Sequence, residues 1–292
     1  MVLYLEARII LHRFVMDYRF RGKQEKCMIS INLSDGFPEF PDVTSLFSET
    51  TTLFNNDARQ IYWLGIPSEA MIHCNSYLIV DGDEGIIVDP GATIVFDDIK
   101  RRVEEIIPLD QIVAITASHQ DPDVCGSLFQ WVKLIPSVKL ITSKRADILM
   151  RFFGKGEYEL FDIFEKSTYS FKSGRSLTFI QAPFMHFPGA FTIYDNESGY
   201  LFSGDIWAAL DFNWKLVVED FDEYVLNLNL FHLDYIASSV AAKGFVRNLE
   251  KYVVDAILPQ HGSLIAKRDV NKAIEYINSL VCGLDILYPD IF

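Results

Sequence analysis

Three histidines and three aspartates give this 292-residue chain its most telling chemistry. His119, Asp121 and Asp123 stand in the run Ser118-His119-Gln120-Asp121-Pro122-Asp123. His186, Asp205 in Phe202-Ser203-Gly204-Asp205, and His261 in Pro259-Gln260-His261-Gly262 follow in that order. Imidazole nitrogens and carboxylate oxygens are the donors of first-row metal sites, and one carboxylate has two oxygens with which to bridge two ions. Six such donors could hold a pair of metals. Imidazole-rich tetrahedral sets favour zinc, whereas harder oxygen donors suit iron or manganese. Three carboxylates among six ligands therefore lean towards iron, with zinc and manganese as alternatives.

Other polar residues carry weaker signals. The acidic run Asp81-Gly82-Asp83-Glu84 reads as a solvated turn, and His12 and His232 stand away from any motif as structural or solvated residues. His73 precedes a strand-like run and could either donate towards a metal from outside its ligand shell or be a partly exposed loop histidine. The four cysteines, Cys27, Cys74, Cys125 and Cys282, form no CxxC pair and are too scattered for a disulfide framework, which fits a reducing cytoplasm. Cys125, two residues beyond Asp123, could offer a thiolate but reads better as a small buried apolar residue.

The donors must be positioned by rigid elements. Ile61-Tyr62-Trp63-Leu64, Ser76-Tyr77-Leu78-Ile79-Val80 and Gly85-Ile86-Ile87-Val88-Asp89 read as strands joined by hairpins. Apolar spacing predicts a helix over residues 93 to 107, and Ile112-Val113-Ala114-Ile115-Thr116 is a buried strand just before His119. A helix near Ser127 to Val132, a strand at Val138-Lys139-Leu140-Ile141 and a helix from about Ser143 form a second unit. Strands dominate from about Leu177 to Phe202. A long helix ending near Tyr252, a strand at Ala256-Ile257-Leu258 and a final helix from about Asp269 to Leu280 complete the chain. The candidate ligands thus fall in loops just after strands, where a scaffold can hold them. Residues 1 to 55, with the Pro-rich stretch Asp35-Gly36-Phe37-Pro38-Glu39-Phe40-Pro41, read as an appended segment, and residues 56 to 292 as the metal-binding domain.

Composition narrows the partners. Half of the residues are hydrophobic, enough for a substantial core. A formal charge of −14 repels phosphate backbones and anionic lipid surfaces, so neither nucleic acid nor membrane is an expected partner. No apolar run reaches the roughly 18 residues of a membrane span, and charges interrupt the apolar N-terminus, so a soluble, cytoplasmic protein without a signal peptide is expected.

The ordered motifs, together with Asn75-Ser76-Tyr77-Leu78-Ile79 and Ile87-Val88-Asp89-Pro90-Gly91, resemble the metallo-β-lactamase superfamily over about residues 60 to 275. The resemblance implies an α/β fold, an αββα sandwich of two mixed β-sheets flanked by helices, with a two-metal site along the sheet edges. Hydrolases of that superfamily usually show His-x-His-x-Asp-His, whereas here Asp121 and Val124 stand at the second and third histidine positions. Flavo-diiron proteins, with His-x-Glu-x-Asp, are more similar, and oxygen-binding di-iron proteins without a flavin module more similar still. Later motifs follow at intervals of 63, 19 and 56 residues from Asp123 to His186, Asp205 and His261. Only 31 residues follow His261, so no flavin module is expected in this chain.

By this resemblance one metal takes His119, Asp121 and His186, the other Asp123 and His261, and Asp205 bridges them. The implied function is binding or reduction of O2 or NO at a di-iron site. The chain would act as an oxygen sensor or binder, or as an oxidoreductase fed by an external electron donor. A signalling partner and a homodimer are compatible with this. The alternative is a metal-dependent hydrolase of an ester, thioester, lactone or phosphodiester. Phe184, Phe187, Phe191, Trp207, Phe212 and Trp214, close to His186 and Asp205 in sequence, suggest a dry wall around the site.

Overall fold

Tyr77-Leu78-Ile79-Val80 and Gly85-Ile86-Ile87-Val88 have no polar face to turn outward, so strands made from them must be covered on both sides. The computed structural model describes residues 29–34, 50–65, 72–211 and 214–291 and covers them in that way. The first sheet contains β1 (Ile29–Ser30), β2 (Thr51–Asn55), β3 (Arg59–Trp63), β4 (Tyr77–Asp81), β5 (Glu84–Val88), β6 (Ile112–Thr116), β7 (Lys139–Thr142) and β8 (Glu159–Asp162) in spatial order. Antiparallel pairing runs from β2 to β5 and parallel pairing from β5 to β8. The second sheet contains β9 (Thr168–Ser170), β10 (Ser176–Gln181), β11 (Phe191–Asp195), β12 (Tyr200–Gly204), β13 (Ala256–Pro259) and β14 (Ile265–Ala266). Its one parallel pair is β12 with β13.

Among the described residues the helices lie between these strands in sequence or, for the last two, after the final strand. They are α1 (Phe96–Ile106), α2 (Pro122–Cys125), α3 (Leu128–Leu134), α4 (Lys144–Met150), α5 (Phe221–Tyr235), α6 (Ser239–Leu249), α7 (Lys267–Ser279) and α8 (Leu284–Leu287). Alternate strand residues divide the core into three layers. Tyr77, Ile79, Ile86 and Val88 meet Phe179, Phe191, Phe202 and Leu258 between the sheets. Leu78, Val80 and Ile87 pack outward against Ile99 of α1 and Leu128 and Trp131 of α3. On the far side, Ile180, Leu201 and Ile257 pack against Leu228 of α5, Phe245 of α6 and Val270 of α7. The result is the expected αββα sandwich of two mixed sheets.

Some boundaries differ from the sequence reading. The first turn of the helix expected over 93 to 107 is a separate 3-10 turn at Thr93–Val95. The long helix expected to end near Tyr252 is split between α5 and α6 because Ile236 turns extended, and the Ser238 hydroxyl then accepts the Ala241 N–H to cap a new helix. The described part of the segment read as appended is integral to the first sheet: Ile31, Leu33 and Leu53 enter the inter-sheet core, and the boundary at residue 55 falls at the end of β2, inside its hairpin with β3. Residues 1–28, the Pro-rich stretch and Phe212 lie outside the described residues. Among the described residues no helix is long and apolar enough to cross a membrane.

At one position the sandwich is stitched by charge. Arg59 of β3, fully buried, lies 3.3 Å from Asp81 of β4 and 3.6 Å from Asp195 of β11 in the opposite sheet. Asp81 also accepts Arg175 Nε at 2.6 Å.

Candidate metal centre

The donors lie in the connections that follow strands. β6 runs straight into the 117–121 loop, and Pro122, at the first position of the short helix α2, fixes the turn that separates Asp121 from Asp123. His186 lies in the connection between β10 and β11, Asp205 directly follows β12, and His261 follows β13 by two residues. Gly204 adopts a φ of +57°, and a Cβ there would stand only 3.0 Å from the side chain of Ser118, so glycine lets the Asp205 loop close against the His119 loop. Gly262, at φ +83°, is tighter: a Cβ would meet the Tyr224 hydroxyl at 2.5 Å.

The six side chains converge. Asp205 Oδ2 lies 2.9 Å from His186 Nε2 and 3.3 Å from His119 Nε2. Asp121 Oδ2 is 3.6 Å from His119 Nε2 and 3.8 Å from His186 Nε2. The other oxygen of Asp205, Oδ1, is 3.8 Å from His261 Nε2, which lies 3.0 Å from Asp123 Oδ2. One carboxylate therefore turns an oxygen to each of two donor sets, His119-Asp121-His186 and Asp123-His261.

The imidazoles are aimed from behind. Ser118 Oγ meets His119 Nδ1 at 3.1 Å, and the Ser118 N–H donates to Asp89 Oδ1 at 2.8 Å, which gives the Asp89-Pro90-Gly91 turn its place in the site. His261 Nδ1 lies 3.2 Å from the His73 carbonyl; since a carbonyl only accepts, that nitrogen carries the proton and Nε2 faces the carboxylates. The Asn75-Ser76-Tyr77 motif braces the same loop. Asn75 donates to the carbonyls of Pro259 and Gly262, both at 2.9 Å, accepts Trp63 Nε1–H at 2.7 Å, and is joined by Tyr77 OH on Pro259 O at 2.6 Å. His232 steadies the Asp205 loop, for its Nδ1 lies 2.8 Å from Leu228 O and its Nε2 accepts the Trp207 N–H at 2.9 Å.

The electrostatics call for cations. Burial alone would push His119 and His261 down, but Asp205, with Asp121 and Asp123, overrides it, raising His119 to about 10 and His261 well above its ordinary value. Burial would raise Asp205, yet the surrounding imidazoles hold it well below the usual carboxylate range. His119 Nε2 and Asp205 Oδ1, in side chains only 3% and 4% exposed, have no hydrogen-bond partner of acceptable geometry. Buried polar atoms left without partners around three convergent carboxylates fit a site built for metal ions, and the mixed nitrogen and oxygen donors suit iron.

Cys125 is buried, as its preferred reading has it, and turns its thiol to the carbonyls of His119 and Asp121, outside the donor cluster. Other neighbours differ from the sequence reading. Cys74, which carried no signal, lies 3.9 Å from Asp123 Oδ2 and 3.6 Å from His261 Nδ1. The His73 ring stacks on Trp214 at 4.8 Å, so its link to His261 runs through its backbone. Phe191 and Trp207 belong to the cores, and Phe184 is half exposed. The aromatic groups against the donors come from α5: Phe231 and Tyr235 each stand 5.8 Å from the His186 ring, and Phe231 stands 6.3 Å from His261. Their i, i+4 spacing on a helix was the available signal, and it is too common to single out a site.

A family model described as ODP family beta lactamase matches residues 72–262. Among solved structures, the apo state of chemotaxis sensor ODP from T. denticola is similar with a TM-score of 0.72 at 30% identity, covering 84% of this chain and 99% of that one. A structure described as a peroxy diiron species of chemotaxis sensor ODP matches with the same score and identity over 82% of this chain. Among curated proteins, the coenzyme F420H(2) oxidase of Methanothermobacter marburgensis is 24% identical over 247 residues, 77% of this chain and 60% of that protein. The nitric oxide reductase of Moorella thermoacetica is 25% identical over 218 residues, 69% of this chain and 51% of that protein. The chain thus spans little more than half the length of these curated relatives.

Proposed function

The chain belongs to the ODP family of beta-lactamase-fold proteins, and from that premise we propose that it is a di-iron protein that binds or reduces O2 or NO. The observation that carries the reading is the division of Asp205, whose Oδ2 faces His119 and His186 while its Oδ1 faces His261. His119, Asp121 and His186 would hold one ion, Asp123 and His261 the other, and Asp205 both. Bound reduced iron would supply an open position for a diatomic ligand and the electrons to reduce it.

The chain's own residues set the terms of that chemistry. Ser118 and the His73 carbonyl fix the imidazole orientations before any ligand arrives, so little reorganisation is needed. Phe231 and Tyr235, stacked at 4.5 Å, cover the His186 side with apolar surface that admits a small gas more readily than a bulky polar substrate. Val124, at the place of a hydrolase histidine, is buried in the helix-side core and leaves the second donor set with His261 as its one imidazole, a departure from the hydrolase pattern.

Reduction of O2 to water takes four electrons and two ferrous ions supply two, so sustained turnover requires an external electron donor. Without one the same site acts as a binder or as a sensor, the latter the role of the chemotaxis sensor ODP that the chain resembles, with a signalling partner or a second copy of the chain as its audience. The test is an anaerobic titration of iron-loaded, reduced protein with O2 and then NO, followed by optical spectroscopy. Saturable spectral changes at one ligand per two irons are expected, and an unresponsive protein carrying two irons contradicts the proposal.

A further inference from the structure

Asp123 and His261 leave the second donor set thin. With Asp205 it has one imidazole and two carboxylates, against two imidazoles and two carboxylates in the first. A fourth donor lies beside it. The backbone bonds Asn75 N–H to Gln260 O, at 2.6 Å, and Gly262 N–H to His73 O, at 3.3 Å, flank Cys74 and His261 and make them an antiparallel bridge pair. Bonds on the flanking residues define the non-hydrogen-bonded type of pair, in which the two side chains share a face and approach most closely. Two residues 187 positions apart are thereby locked side by side.

We propose that Cys74, as a thiolate, is a protein ligand of the second metal, giving it the donor set Asp123, His261, Cys74 and bridging Asp205. The inference rests on the two-metal reading of the site. Its geometry is permissive: sulfur–metal and carboxylate–metal bonds of about 2.3 and 2.1 Å span up to roughly 4.4 Å between donors, and Cys74 Sγ stands 3.9 Å from Asp123 Oδ2. That same Oδ2 is 3.0 Å from His261 Nε2, Cys74 Sγ is 3.6 Å from Nδ1 of the same ring, and the three residues each offer a donor atom within 4.8 Å of the other two. The unpartnered Asp205 Oδ1, in a side chain 4% exposed and 3.8 Å from His261 Nε2, points into this half of the site independently of the cysteine. On binding, the thiol proton leaves to solvent, one per chain, and no redox change accompanies the step. A thiolate would add negative charge and a softer donor to one ion only, making the two metals chemically unequal.

Cobalt(II) is the probe, because a cobalt–thiolate bond adds a near-ultraviolet charge-transfer band that imidazole and carboxylate ligands do not. Metal-free protein is titrated with Co2+, with bound cobalt per chain measured by dialysis, for wild type, Cys74→Ser and Cys74→Ala. The expected result is two cobalt ions per wild-type chain, the band growing with one of them, and its loss in both variants. In parallel, iodoacetamide labelling mapped by peptide reads the wild type alone: Cys74 is half-buried whereas Cys125 and Cys282 are fully buried, so Cys74 should label in the metal-free protein and become at least tenfold slower with cobalt bound. Two cobalt ions without the band, or labelling of Cys74 unchanged by metal, overturn the thiolate ligand while leaving the paired site intact. Failure of the wild type to bind a second ion overturns both.

Discussion

Asn75→Ala tests whether the second donor set depends on the brace between the sheets. The Asn75 side chain is fully buried and makes three hydrogen bonds. Two of its partners keep a second bond: Pro259 O retains Tyr77 OH at 2.6 Å, and Gly262 O retains Trp214 Nε1–H at 3.1 Å. Each of those losses costs about 0.5–1.5 kcal/mol. The Trp63 indole N–H keeps no partner inside the core, and a stranded buried donor costs about 1–3 kcal/mol. The sum is about 2–6 kcal/mol, a large part of the 5–15 kcal/mol that holds a typical domain together. Urea unfolding of metal-free protein, which excludes any contribution from metal binding, should show that loss. Metal titration should then show one of two sites weakened, because the Pro259–Gly262 loop carries His261 while His119, Asp121 and His186 are anchored elsewhere. A stability change below about 0.5 kcal/mol, within the range of a neutral surface substitution, with both metals bound as in wild type, would refute the bracing argument.

Arg59→Ala should destabilise the chain by about 3–5 kcal/mol in denaturant unfolding, since it leaves Asp195 buried across the sheet interface without its cation; a neutral substitution would mean that water or Arg175 compensates the carboxylate. Burial holds His232 down at about 4, well below its ordinary value. Its unfolded form binds a proton near pH 6.5 and its folded form only near 4, so its contribution to stability is present above pH 6.5 and is lost as pH falls through that window. Metal-free wild type should therefore lose about 2 kcal/mol more than His232→Gln between pH 7 and 4.5 in urea unfolding, and parallel losses in the two proteins would refute the assignment. Gly262→Ala should lower expression of folded protein or weaken the second metal site, because the added Cβ meets the Tyr224 hydroxyl at 2.5 Å in a left-handed backbone conformation; unchanged stability and metal content would show that the loop yields freely.

The strand ends that carry the donors were legible because apolar runs such as Ile112–Thr116 and Ala256–Pro259 stop abruptly at polar residues, and Pro122, Gly204 and Gly262 punctuate the turns. The division of the sandwich followed from β4 and β5, whose two apolar faces require two covering layers. What stayed hidden depends on pairing across large sequence separations. Cys74 reaches His261 only through a bridge between the sheets, so no local spacing marks it. Arg59 reads as an ordinary charged residue until Asp81 and Asp195 surround it. The edge strands β1, β8 and β9 are short and partly exposed and lack a strong alternating pattern, which is why β1 read as appendage rather than sheet. The break between α5 and α6 turns on the Ser238 cap, a signal obscured by helix-forming residues on both sides.

The central claim, that Asp205 joins two metal ions into one centre, is tested most directly by X-ray absorption at the iron edge of protein loaded anaerobically with iron, with iron per chain measured on the same sample. Two irons per chain and an iron–iron vector of about 3.5–4 Å are expected in the wild type, with that vector lost in Asp205→Ala. One iron per chain, or two irons without a metal–metal vector, would contradict the account.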